Sequence, residues 1–316
     1  MSVTDASAME TVECQSAQSL APVIESLQGR EVQLGSIPVT RTLPLKQRRM
    51  VGPWCFVDRF GPMTFTEGHP MDVAPHPHTG LQTVTWLLDG EIRHDDSLGC
   101  ATVTHPGGVS VMTAGRGIAH AEQTPEENSH RLDGVQLWVA LPDAARHIEP
   151  AFSAIEQVPV VEPAGGLVRV FAGSAMGVTS AAPHHSAIVG IDIELHPGAS
   201  VEIPLEPMWE HAAIVLRGDA ALEGRALDGH QLHYLGTHRH SAAFTSREGA
   251  RLLVLGGPPF PEKILMWWNF VARTPEELTE AREDWMAHRR FGDVQAYNGP
   301  RLDAPGLTGY RPRVAK

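Results

Sequence analysis

The chain has few cysteines, no long hydrophobic run and no excess of positive charge, and each shortage removes a class of protein. Its three cysteines, Cys14, Cys55 and Cys100, are scattered without CxxC spacing. That argues against a disulfide framework and a thiolate zinc knot, and leaves free thiols. No run of about 18 apolar residues occurs, so no membrane-spanning helix is expected. Asp5, Glu10 and Glu13 stand where a signal peptide needs a basic start and then an apolar stretch, so the expected compartment is the cytoplasm. Lysine and arginine total 25 against 37 aspartates and glutamates, a formal net charge of −12. Without a dense basic stripe a duplex finds no footprint, and any role in transcription would run through a protein partner.

What is present points to β structure. At 316 residues the chain is about twice a typical domain. Its 42% hydrophobic and 20% charged residues are ordinary for a globular protein. The 30 glycines and 25 prolines are spread along the chain, as many short strands joined by turns require. Residues 1–30 read as a loosely ordered extension, with a short helix expected across Ala21 to Leu27. From Glu31, short apolar or alternating runs follow: Leu81 to Leu88, Ala101 to Thr104, Val109 to Thr113 and Val135 to Leu141. A second set covers 168–172, 187–195, 200–203, 212–216, 220–222 and 251–255, so a strand-rich block repeats at half the chain length. Both blocks pass from strand to strand through Leu-x-Gly, at Leu88-Asp89-Gly90 and Leu216-Arg217-Gly218. One helix is expected from Thr274, its cap, through Pro275 and the capping-box Glu277 to about Arg290, its acidic start and basic end matching the helix dipole. The residues from 292 on, rich in Gly and Pro, should lie extended over the surface.

Two histidine-bearing segments carry chemistry. In His76-Pro77-His78, residues two apart in an extended segment share a side, so both imidazoles can meet at one point. In Gly115-Arg116-Gly117-Ile118-Ala119-His120-Ala121-Glu122, the second pair has the same spacing. On neighbouring strands the four residues would offer three nitrogens and a carboxylate to one ion, leaving two positions of an octahedron open. With 17 histidines some HxH pairs arise by chance. His238-Arg239-His240 has no matching second segment, and His184-His185 and His211 are equally unsupported.

At these residues the sequence resembles the pirin family of the cupin superfamily. The resemblance runs through His76-Pro77-His78-Thr79-Gly80-Leu81-Gln82-Thr83-Val84-Thr85-Trp86, His94-Asp95-Asp96-Ser97-Leu98-Gly99 and Met112-Thr113-Ala114-Gly115-Arg116-Gly117-Ile118-Ala119-His120-Ala121-Glu122, and covers roughly residues 31 to 290. It implies an all-β chain of two tandem cupin barrels (double-stranded β-helix or jelly-roll) packed face to face, with a short C-terminal helix. The expected divisions are the extension at 1–30, a metal-bearing barrel at 31–160, a metal-free barrel at 161–273, and helix with tail at 274–316. The family's ligands carry over onto His76, His78, His120 and Glu122. Where the general cupin pattern has a glutamate the chain has Gln82, expected beside the ligands or in the pocket rather than on the metal. Phe56, Trp86 and Met112 are candidates for the pocket mouth, although residues of their type are more often core.

The activity implied first is a quercetin 2,3-dioxygenase, taking a small aromatic flavonol and O2, with Glu122 as both ligand and catalytic base. The alternative is a redox-responsive regulatory binding module, a transcription cofactor or enzyme-binding protein without turnover. A purely structural metal is the third reading. The resemblance favours one Fe(II) per chain, and nickel, manganese, copper and zinc accept the same donors. A monomer is expected.

Overall fold

The computed structural model describes residues 10–12, 22–34, 37–66 and 70–307. Its strands close into two barrels, each a large sheet facing a small one. The first large sheet runs in the spatial order Ala151–Ile155, Val109–Thr113, Leu81–Gly90, Arg131–Ala140, Trp54–Thr64, Ile37–Leu43, Arg30–Leu34. Opposite it lies a four-stranded sheet of Asp72–His78, Ile118–Gln123, Ile92–Asp96 and Ala101–Thr104. The second barrel repeats the plan. Its small sheet runs Ser200–Pro204, Ser241–Thr245, Ala220–Leu222, Arg225–Leu227, against a large sheet centred on Val189–Leu195, Ala250–Gly257 and Glu210–Gly218. The chain is therefore all-β with two barrels, as composition and the repeat imply.

The large sheets pack face to face through one apolar core. Val84, Trp86, Val111, Val135 and Leu137 of the first meet Phe171, Ile214, Leu253 and Leu255 of the second. Each such side chain contributes about 1.5–3 kcal/mol when removed from water, so parting the barrels would expose a large apolar face. Polar ties cross the same boundary: Trp86 Nε1 donates to Asp192 Oδ2 at 2.6 Å, Arg217 to Asp133 at 2.5 Å, and the Gly52 amide to Glu210 at 2.8 Å. The Leu-x-Gly passages close equivalent turns. Gly90 and Gly218 have φ of 83° and 75°, and a Cβ on either would lie 2.0 Å from a backbone carbonyl, that of Arg131 or of Gly249. Only glycine fits there.

Two segments join the barrel that their place in the chain does not suggest. Glu25–Gln28 is a strand of the second large sheet, paired with Gln231–Gly236. The helix expected from Ala21 is thus corrected, for the described residues, to a strand, because Leu27 has a sheet face to fill. Conversely, Ile264–Trp267 and Phe270–Ala272 return to the first barrel, where Ile264, Met266 and Val271 pack with Phe56, Leu81 and Ile118.

The helix runs Pro275–Met286, with Thr274 accepting from the Glu277 amide as its cap. It ends four residues earlier than expected, because His288 and Arg290 take left-handed φ values of 55° and 68°. The basic residues lie beyond the last turn and bond back instead, Arg289 to Asp284 and Arg290 to Glu280. Leu278, Ala281 and Trp285 bury the helix against Ala119 and Ala121, the outer face of the His120 strand. Residues 292–307 have no regular structure but are anchored, the Leu302 amide donating to the Pro75 carbonyl at 2.8 Å. Of the cysteines, Cys14 lies outside the described residues, Cys55 and Cys100 are free thiols, and burial pushes Cys55 up to about 12. No described helix is long and apolar enough to cross a membrane.

Candidate metal centre

The small sheet of the first barrel builds the site. Strand alternation turns Pro75, Pro77, Ala119 and Ala121 outward, and His76, His78, His120 and Glu122 toward the barrel interior. Antiparallel pairing sets His120 directly opposite His76 on one side and Asp96 on the other. A β-bulge between His120 and Glu122 shifts the register, so Glu122 meets Val73 and, on the far side, His94.

The donor atoms of His76, His78 and His120 all lie within 4.8 Å of one another. The three rings are fully buried, with centroids 4.4–5.0 Å apart. His76 Nδ1 faces the Ala74 carbonyl at 2.9 Å, and His78 Nδ1 faces the Asn269 carbonyl at 3.1 Å. A carbonyl only accepts, so both rings carry their proton on Nδ1 and turn a bare Nε2 inward. His76 Nε2 is buried without a hydrogen-bond partner, while His78 Nε2 and His120 Nε2 stand 3.1 Å apart. Burial, reinforced by the neighbouring imidazoles, holds all three well below the usual histidine range, so all are neutral. Three neutral imidazoles aimed at one point satisfy a divalent cation, whereas alone they leave lone pairs facing one another in a dry cavity. The residues fit a bound transition metal. Glu122, buried on the same inward face, is the nearest carboxylate along the His120 strand.

Sequence reasoning missed two residues. His120 Nδ1 lies 3.3 Å from His94 Nδ1, and His94 Nε2 lies 3.1 Å from Asp96 Oδ2. The His94 ring stacks on Phe152 at 4.1 Å. Burial alone would raise Asp96, but His94 and the Cys100 and Leu98 amides outweigh it and hold the carboxyl below its ordinary range. The same i, i+2 spacing that marks His76-Pro77-His78 was there to be read in His94-Asp95-Asp96.

Other candidates fall elsewhere. Gln82 does not reach the centre: its amide donates to Thr113 Oγ1 at 2.8 Å and to the Pro183 carbonyl at 3.1 Å, and its oxygen faces His184 at 3.3 Å. Even-numbered residues of that strand face the second barrel, which also takes Trp86 away from any pocket mouth. Phe56 and Met112 are core, Phe56 stacking at 4.1 Å on Trp138, whose ring meets His78 edge-on. Among the described residues the triad is the one group of three such donors close enough to share an ion, and His184, His211, His238 and His240 belong to none.

Comparison with known proteins agrees with this architecture. A family model described as Pirin matches residues 36–139, and one described as the Pirin C-terminal cupin domain matches residues 190–292. The crystal structure of a quercetin 2,3-dioxygenase from Acinetobacter baumannii aligns with a TM-score of 0.87 at 40% identity, over 90% of this chain and 96% of that one. A Pseudomonas aeruginosa protein named "putative quercetin 2,3-dioxygenase" is 40% identical over 274 residues, 86% of this chain and 87% of the relative. A pirin-like protein of Caulobacter vibrioides is 38% identical over 267 residues, 82% and 92% of the two chains.

Proposed function

The chain belongs to the pirin family, and on that premise we propose that it is a metal-dependent dioxygenase acting on a flavonol such as quercetin. The observation that carries the reading is the convergence of three buried, neutral imidazoles, two of which have their outer nitrogens bonded to backbone carbonyls. The relatives named for quercetin 2,3-dioxygenase support the substrate class. His76, His78 and His120 would hold one divalent metal, with Glu122 as fourth donor, and iron(II) is the metal we assign. When bound, the metal supplies Lewis acidity and redox capacity toward the flavonol and O2. Glu122 accepts the proton of the flavonol hydroxyl on a carboxylate oxygen, a task worth about 10²- to 10⁴-fold in rate. Trp138, Phe56 and Met112 exclude water from the barrel interior, which strengthens every polar interaction inside it. We take it to act as a monomer in the cytoplasm.

One observation favours a second reading. His76, His78, His120 and Glu122 are at most 2% exposed, so a bulky flavonol needs the barrel to open before it reaches the donors. A redox-responsive module that binds a protein partner and turns nothing over has no such need. The test is metal analysis of protein purified without added metal, run beside oxygen uptake with quercetin, on wild type and His78→Ala. About one metal per chain with oxygen uptake, both lost in the variant, is the expected result. One metal without uptake favours the module, and no metal sinks the centre.

A further inference from the structure

The chain of contacts behind His120 has a direction, set by its far end. Asp96 Oδ1 accepts from two backbone amides, Leu98 at 2.9 Å and Cys100 at 3.0 Å. That fixes the carboxylate in the turn after the strand and aims Oδ2 at His94 Nε2. A carboxylate oxygen only accepts, so His94 carries its proton on Nε2. The atom facing His94 Nδ1, at 3.3 Å, is His120 Nδ1, so a hydrogen bond between them needs the proton on one of the two and a lone pair on the other. Two acceptors compete for the His120 proton, His94 Nδ1 at 3.3 Å and the bare His78 Nε2 at 3.1 Å, and only the first leaves His120 Nε2 free for a metal. Residues 92–96 are strand-paired to 118–123, with Asp96 opposite His120, and Phe152 stacks on the His94 ring. The register thus holds every member of the chain in place.

We propose that Asp96 and His94 are positioning residues of the metal centre, which select the His120 tautomer able to bind a metal. His76 and His78 obtain the same tautomer from backbone carbonyls, which no side-chain substitution removes. His120 obtains it from His94, whose own proton position is dictated by Asp96, so this ligand is set by two exchangeable side chains. The inference rests on the reading of the triad as a metal centre. Groups that orient a ligating histidine in this way typically matter by about 10- to 100-fold in metal affinity.

The decisive substitution is Asp96→Asn. An amide nitrogen cannot accept from Leu98 and Cys100, so the amide oxygen must stay in the turn and the NH2 must face His94 Nε2. His94 then accepts at Nε2 and carries its proton on Nδ1. His120 Nδ1 must accept in turn, and its proton moves to Nε2, where it blocks the metal. The turn bonds survive, so metal-free protein should unfold within a few degrees of wild type.

The experiment titrates full-length wild type, Asp96→Asn and His94→Phe with nickel(II) by calorimetry, and reads the His120 tautomer of metal-free protein by ¹⁵N NMR. We expect one tight site in wild type, a 10- to 100-fold weaker one in Asp96→Asn, and the His120 proton moved from Nδ1 to Nε2. His94→Phe keeps an aromatic ring against Phe152 but gives His120 no acceptor, and should weaken binding in the same direction. Equal affinity in wild type and both variants, or a wild-type His120 protonated on Nε2, overturns the inference while leaving the metal centre intact. A wild type that binds no nickel sinks the metal centre itself, and this inference with it.

Discussion

The two small sheets share one strand order and differ in what they turn inward. In the first barrel, pairing lines up His76, His120 and Asp96 in a row across the sheet. In the second, the corresponding row is Val201, Phe244 and Leu222. The apolar row is simply core, packed with Ile203, Ala242 and Val254. The polar row is buried as deeply and is satisfied only if each proton is placed and the bare nitrogens find an ion. Their outer faces differ too. Helix and tail cover the first, whereas Ser200, Glu202 and Pro204 leave the second open to solvent. Topology decides which positions meet, and side chains decide whether the meeting is a core or a site.

That contrast can be broken. The largest expected effect is at the polar row. His120→Ala should abolish metal binding, a loss beyond 100-fold by calorimetry, since it removes a ligand and not merely a group that orients one. The metal-free variant should still fold, because it also relieves the crowding of bare nitrogens. Phe244→Ala in the apolar row should do the opposite, lowering stability in urea by about 3–5 kcal/mol through the cavity it leaves, with metal stoichiometry unchanged. If it halves the metal content instead, the barrels are coupled and the contrast fails.

A third effect is the pH dependence that one buried histidine of the second barrel adds to that of the first barrel's triad. Burial lowers His211, at the start of a large-sheet strand of the second barrel, to about 4. Its folded value lies below the unfolded value near 6.5, so between those two the unfolded chain binds the extra proton. The stabilisation is present in full above about 6.5 and is lost as pH falls toward 4, by up to about 3 kcal/mol. Urea unfolding at pH 7 and pH 5 should show this slope in wild type and a shallower one in His211→Gln. The smallest effect is at the boundary. Trp86→Phe removes the bond to Asp192, which Arg251 still pairs at 2.8 Å, and should lower stability by about 2 kcal/mol without changing metal affinity. A loss of affinity there would show that the interface tunes the centre.

Much of this was legible in the sequence, and for a stated reason. An extended strand has a period of two, so His76-Pro77-His78 and His120-Ala121-Glu122 declared that each pair shares a face. Glycine and proline marked the turns, and Thr274-Pro275 with Glu277 marked the start of the helix. The same period was not enough for Gln82. Alternation says that Gln82 opposes Leu81, but only the packed barrels say which of the two faces the centre. It put His94 and Asp96 on one face too, but their role needs the His120 strand beside them across a sheet.

By itself the sequence determined what backbone geometry makes local: the strands, the turns that need glycine, the helix cap and the pairing of neighbouring donors. The tertiary structure decided what depends on groups far apart in the chain. The Asn269 carbonyl reaches His78 from 191 residues away, Glu25–Gln28 and Ile264–Trp267 cross to opposite barrels, and Asp96 meets His120 by strand register. Such contacts follow from which apolar faces can be buried together, a property of the assembled sheets that no single stretch of residues carries.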